Sequence, residues 1–213
     1  MRKNFPDRKN EFTNLFPTQL YKEERISNYD AIQEEMLEYV NKIEWQWSEG
    51  WDSHWLSSLD FKKNPVTELP LFSEQLGYAL EDYCAKMHFY ENTGATLKSS
   101  WFSCFQKNNY AHIHSHRAAD IAGVYYFSTD GDDGDLFFTS PIANAKASKS
   151  WAQEKINYPP QQGSLLLFPG WLEHGVGTNL KDHARISLSF NVEVVELNEL
   201  PSSNYRRFTN AQK

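Results

Sequence analysis

Four of the seven histidines fall at two places: the run His112-Ile113-His114-Ser115-His116, and His174, sixty positions beyond His114. If the run is a β-strand, alternation turns its three imidazoles to one side at ~6.6 Å intervals and Ile113 to the other. Imidazoles on a buried face need polar partners. A divalent metal is one such partner, and neutral imidazole is its commonest ligand. A solvent-facing strand edge writes the same string, so His-x-His alone is weak evidence. His174 strengthens it: in Gly163-Ser-Leu-Leu-Leu-Phe-Pro-Gly170-Trp-Leu-Glu-His174 an apolar strand is stopped by Pro-Gly, and a histidine opens the next short strand. Eleven residues later, Arg185 and Ser187 alternate onto one face of Arg185-Ile-Ser-Leu-Ser-Phe. A guanidinium and a hydroxyl so placed grip one carboxylate of a small acid.

The elements that must position these groups are legible in outline. From residue 97 the pattern is one of short β runs broken by Gly, Asp, Asn and Pro, which predicts strands near 97–106, 111–116, 120–128, 135–139, 164–168, 173–176 and 185–195. Before them, Ile32, Met36, Val40 and Ile43 mark one helix, capped by Ser27 or Asn28, and Phe72, Leu76, Leu80, Tyr83 and Met87 mark another. The expected fold is therefore α+β, with a double-sheet jelly roll or barrel over about 97–195 and helical support over about 12–96. Residues 1–11 and 201–213 read as polar tails, and 140–160 as an excursion edging the site. Gly131-Asp-Asp-Gly134 reads as a turn, since it lacks calcium-loop spacing. The Trp45, Trp47, Trp51 and Trp55 group reads as packing between helix and sheet. His54, His88 and His183 lie away from the metal pattern.

The ordered set His112-Ile-His114, Asp120-Ile-Ala-Gly-Val-Tyr-Tyr126, Gly134-Asp-Leu-Phe-Phe, Gly163 to His174 and Arg185-Ile-Ser-Leu-Ser-Phe-Asn191 resembles the 2-oxoglutarate- and Fe(II)-dependent oxygenases of the double-stranded β-helix fold. It is most similar to an uncharacterised group with His-x-His where others have His-x-Asp. The resemblance implies Fe(II) held by His112, His114 and His174, 2-oxoglutarate as cosubstrate bound by Arg185 with Ser187 beside it, and O2 as oxidant. A tyrosine hydroxyl, from Tyr110, Tyr125 or Tyr126, would reach the cosubstrate. Three neutral ligands make the site one unit more positive than two histidines and a carboxylate. Three alternatives stay open at the third position: His116 in place of His112 or His114, the Asp120 carboxylate, or water. The implied reaction is hydroxylation with release of succinate and CO2. Rival readings are a cupin-type metal enzyme without 2-oxoglutarate and a non-catalytic metal-binding jelly roll.

Composition sets the outer bounds. With 213 residues, one domain is expected. A net charge of −7 argues against nucleic acid or an anionic membrane as partner. Cys84 and Cys104 are too few for a disulfide scaffold, which suits a cytoplasmic protein. The longest apolar run, Ile121–Phe127, is far short of the ~18 residues that cross a bilayer. The expected partner is a small-molecule or peptidyl substrate, with a homodimer as a further expectation.

Overall fold

A computed structural model describes residues 17–48, 53–58, 64–87, 93–142 and 154–196. Both expected tails, Trp51, His88 and the middle of the 140–160 excursion lie outside these residues.

Among the described residues, eleven strands form two antiparallel sheets. The larger contains β1 (Tyr21–Glu23), β2 (Gln46–Trp47), β3 (Trp55–Leu56), β4 (Thr93–Phe105), β6 (Ile121–Ser128), β9 (Leu165–Pro169) and β11 (Arg185–Glu196), in spatial order β1-β9-β6-β11-β4-β3-β2. The smaller has the order β5-β10-β7-β8, from β5 (Ala111–His114), β7 (Leu136–Thr139), β8 (Lys155–Tyr158) and β10 (His174–Val176). The expected α+β double-stranded β-helix is present. The structure adds β1, β2 and β3, too short to show a period. It also places β8 in the supposed excursion, paired with β7 from Leu136↔Tyr158 to Thr139↔Lys155.

The strands β6 and β9 of the larger sheet are buried on both faces, which is why they read as nearly continuous apolar runs. One face meets the helices α1 (Tyr29–Val40) and α2 (Pro70–Met87). There Ile32 and Met36 of α1 and Phe72, Leu76, Leu80 and Tyr83 of α2 pack with Ile121, Tyr125, Leu165, Leu167, Leu188, Phe190 and Val192. The helix stripes are those expected, but α1 stops before Ile43, which packs from beyond the helix end. Asn28 occupies the N-cap in a left-handed conformation without a side-chain cap bond. At the start of α2, the Glu35 carboxylate of α1 accepts hydrogen bonds from the backbone N–H groups of Leu71 (2.8 Å) and Phe72 (3.0 Å). This supplies anionic acceptors to otherwise unpaired first-turn donors and fixes the two helices to each other.

The opposite face looks toward the smaller sheet. Ala122, Val124, Tyr126, Leu166 and Phe168 pack there with Leu136, Phe138 and Leu172. This second core closes one end of the sandwich, and the other end is left as a deep cavity. No helix among the described residues is long and apolar enough to cross a membrane.

Candidate metal centre

The histidines come together at the mouth of this cavity, but the set differs from the one the sequence suggested. His114, His116 and His174 each offer a ligand nitrogen, and these atoms all lie within 4.8 Å of one another. Ring centroids are 4.5 Å apart for His114 and His174, 5.0 Å for His116 and His174, and 5.1 Å for His114 and His116. His112 is not in the group. Its side chain is exposed, and its ring meets Tyr110 edge-on at 4.9 Å.

A β-bulge is the reason. In the pairing of β5 with β10, His114 lies opposite His174 and Ala111 opposite Val176, with a register shift between. Two residues, His112 and Ile113, therefore span the place where Gly175 alone stands on β10. Both are exposed, Ile113 by 55%, while Ala111 on one side is buried and lines the cavity with His114 on the other. The extra residue breaks the alternation that would have put His112 beside His114. Gly175 faces the bulge, and a Cβ there would lie 2.7 Å from the Phe137 ring, 3.0 Å from the Ala111 carbonyl oxygen and 3.2 Å from that of His112.

His116 reaches the group by a different route. The strand ends at His114, and the chain turns through Arg117 and Ala118. The turn is fixed by the His116 N–H donating to the Gly170 carbonyl and the Ala119 N–H to that of His116, both 2.8 Å. The Asp120 carboxylate, an alternative ligand on sequence grounds, is engaged elsewhere: it accepts the Val194 N–H at 2.7 Å.

Two of the imidazoles are each held in one tautomer. Nδ1 of His174 is 2.8 Å from the Leu172 carbonyl oxygen, and Nδ1 of His114 is 2.7 Å from that of His112. A carbonyl only accepts, so each Nδ1 carries the proton and each Nε2 keeps its lone pair. Outer hydrogen bonds of this kind orient metal-ligating histidines. Burial pulls the pKa of His174 down to about 3, helped by His114 and opposed by the Leu172 carbonyl. Burial likewise lowers His116 to about 4, with His114 adding to the effect and the Asn191 side chain opposing it. Both rings are thus neutral bases near pH 7.

The cavity behind them has a volume of about 1310 Å³, and Arg185 and Ser187 both line it, as their shared face implied. Arg185 is 1% exposed. Its Nη1 donates to the Gly134 carbonyl at 2.5 Å, its guanidinium carbon lies 4.2 Å from the Phe105 ring centre, and its Nε is buried without a partner. Among the described residues no carboxylate is within ion-pair distance of it. A buried, unpaired cation is costly, and a bound anion would offset that cost. The Gly134 carbonyl is presented by a tight turn. Gly134 has φ +104°, and a Cβ there would run into the Gly177 carbonyl oxygen. The turn is anchored by buried Asp133, whose carboxylate accepts from the Thr129 hydroxyl (2.7 Å) and the Asp130 N–H (3.3 Å) and faces His183 Nε2 at 3.2 Å. Asp130, Asp133 and His183 thus serve the turn.

The tyrosine assignment also changes. Tyr125 points to the helices, where its ring meets Phe72 at 5.2 Å and its hydroxyl accepts from Gln33 Nε2 at 3.0 Å. Tyr110 is half-buried beside His112 and does not line the cavity. Tyr126 does: it lies next to Arg185, and burial pushes its hydroxyl up to about 12 against the pull of that cation. A further cavity-lining residue is one set aside on sequence grounds. His54 is buried and stacked on Phe105 at 4.3 Å and 9°, with Nδ1 unpartnered and its pKa lowered by burial to about 4. Its position comes from the pairing of β3 with β4, Trp55 opposite Cys104, for which the sequence offers no signal.

Comparison with known proteins adds to this geometry. Residues 99–191 match the family model described as "Putative 2OG-Fe(II) oxygenase", a span holding all three clustered histidines and Arg185. The match covers fewer than half of the 213 residues and makes this region similar to the 2OG-Fe(II) oxygenases. Solved structures share its fold at low identity. HygX from Streptomyces hygroscopicus, with nickel and 2-oxoglutarate bound, is 13% identical over 83% of each chain, with TM-score 0.59. A prolyl-4-hydroxylase from Pseudomonas putida is 15% identical over 82% of this chain and 92% of its own, with TM-score 0.53. The epimerase SnoN from nogalamycin biosynthesis, described as α-ketoglutarate dependent, is 11% identical over 90% of each chain, with TM-score 0.63. No curated protein sequence matches the chain. The ordered motifs read from the sequence, from His112 to Asn191, fall inside the matched span.

Proposed function

We propose that the protein is an Fe(II)- and 2-oxoglutarate-dependent dioxygenase that hydroxylates its substrate with release of succinate and CO2. The observation that carries this reading is one cavity holding three convergent imidazoles and a buried arginine without a carboxylate partner among the described residues. The donor set fits a divalent first-row metal. His114, His116 and His174 offer three nitrogens on one side, with two of the rings oriented by backbone carbonyls, which leaves room for a bidentate keto acid and O2. When bound, Fe(II) supplies the redox chemistry that couples decarboxylation of the keto acid to oxygen insertion.

The chain's own residues bind and orient. Arg185 pairs with the far carboxylate of 2-oxoglutarate, donating through the Nε that otherwise lacks a partner, and Gly134 holds the other arm of the guanidinium in place. The Ser187 and Tyr126 hydroxyls line the same wall. The Tyr126 hydroxyl keeps its proton at neutral pH and so acts as a hydrogen-bond donor. The apolar floor of Val124, Leu136 and Phe168 limits water in the cavity.

Anaerobic addition of Fe(II) and 2-oxoglutarate should give a weak visible charge-transfer band that His174→Ala abolishes. Aerobic turnover should form succinate. Absence of the band at saturating ligand would contradict the proposal.

A further inference from the structure

The cavity is far larger than a five-carbon diacid needs, and its charge is opposite to that of the whole chain. The protein has 28 acidic and 21 basic residues, yet none of the described residues lining the cavity is Asp or Glu. Its formal charges are all cationic: Arg185 deep inside, and Lys98 and Arg117 on one lip. The lip is built, because Lys98 Nζ donates to the Ala118 carbonyl at 2.8 Å and ties β4 to the turn that carries Arg117. This places both cations beside His116, whose ring stacks on Trp101, three residues along β4 from Lys98, at 5.8 Å and 17°. Glu193, outside the lining, lies 3.8 Å from Lys98 Nζ and is partly exposed. Lys98 is therefore partly compensated. Arg117 has no carboxylate within ion-pair distance among the described residues.

From this lip we infer that the primary substrate is a small molecule bearing an anionic group, carboxylate or phosphate, held by Arg117 and secondarily by Lys98 while its reacting carbon faces the histidine cluster. The inference rests on the oxygenase reading and specifies its substrate class. Arg185 is committed to the cosubstrate. A second anion in the same cavity thus needs a second cationic end, and the lip beside His116 supplies it. Arginine offers planar, two-pronged recognition of either anion, and an exposed lip makes the attraction dependent on salt.

The test uses calorimetric binding of phenyl phosphate, benzoate, benzyl alcohol and benzylamine to the full chain, with and without saturating 2-oxoglutarate. The two anions should bind better than the alcohol and the amine, and the order between them tells phosphate from carboxylate. Arg117→Ala should weaken anion binding by on the order of tenfold. Lys98→Ala should weaken it less, and Glu193→Gln should tighten it by freeing Lys98. Thermal melts of each variant check that the fold is kept. Equal affinity for all four probes, no binding at millimolar concentration, or an anion preference untouched by Arg117→Ala would overturn the inference. In an Arg185→Met background without 2-oxoglutarate, where no deep cation can take the probe, the titration reads the lip alone, so it separates failure here from failure of the charge-transfer band.

Discussion

The two faces of β11 show how one strand serves two purposes. Toward the helices it presents Ile186, Leu188, Phe190 and Val192, all in the apolar core. Toward the cavity it presents Arg185, Ser187, Ser189 and Asn191. The first face lowers the free energy of the fold by removing apolar surface from water. The second raises it: a guanidinium and an Asn191 Oδ1 are buried there without full hydrogen bonding. Groups that weaken the fold but line a cavity are those whose partners arrive with a ligand.

That contrast can be broken face by face. Phe190 is 1% exposed and packs against Phe72 at 6.2 Å. Phe190→Ala should destabilise the protein by about 3–5 kcal/mol, read as a fall in the denaturant midpoint. One position class away, Arg185→Met should change stability by no more than about 2 kcal/mol, since it removes a buried charge along with one hydrogen bond. It should nonetheless weaken 2-oxoglutarate binding by about 2–5 kcal/mol in calorimetry. A large loss of stability in Arg185→Met with intact 2-oxoglutarate binding would erase the distinction between the faces.

A smaller effect follows from the buried histidines of the cavity. His54 and His116 titrate at about 4 and His174 at about 3 in the fold, against an ordinary 6.5. Between these values the unfolded chain binds more protons than the folded one, so stability rises with pH. The metal-free protein should therefore lose stability as pH falls from about 6.5 toward about 4, by about 1.4 kcal/mol per pH unit for each ring. The melting temperature against pH, compared between the native chain and His54→Phe, checks this. Unchanged stability across that window would contradict it. The least effect belongs to the exposed Lys107–Asp182 ion pair at 2.6 Å, where Lys107→Ala should cost under about 1 kcal/mol.

Much of this was legible in the sequence, and the parts that were not have local causes. The helix stripes and the alternation that sets Arg185 and Ser187 on one face depend only on regular periods. His116 was visible as an alternative ligand, but its choice over His112 turns on one extra residue in β5, and a bulge leaves no mark in a five-residue string. Tyr125 and Tyr126 could not be told apart because β6 is apolar on both faces, so neither parity looks more internal. His54 was set aside because what brings it to the cavity is a two-residue strand pairing with β4 across a distance in sequence of about fifty positions.

The central claim is that the bulge in β5 hands the metal to His116 and turns His112 outward. Calorimetric titration of Ni(II) into His112→Ala and His116→Ala tests it most directly. His112→Ala keeps the backbone carbonyl that orients His114 and should bind Ni(II) as the native chain does. His116→Ala should lose affinity by at least about two orders of magnitude. The reverse pattern, loss in His112→Ala and retention in His116→Ala, would contradict the account.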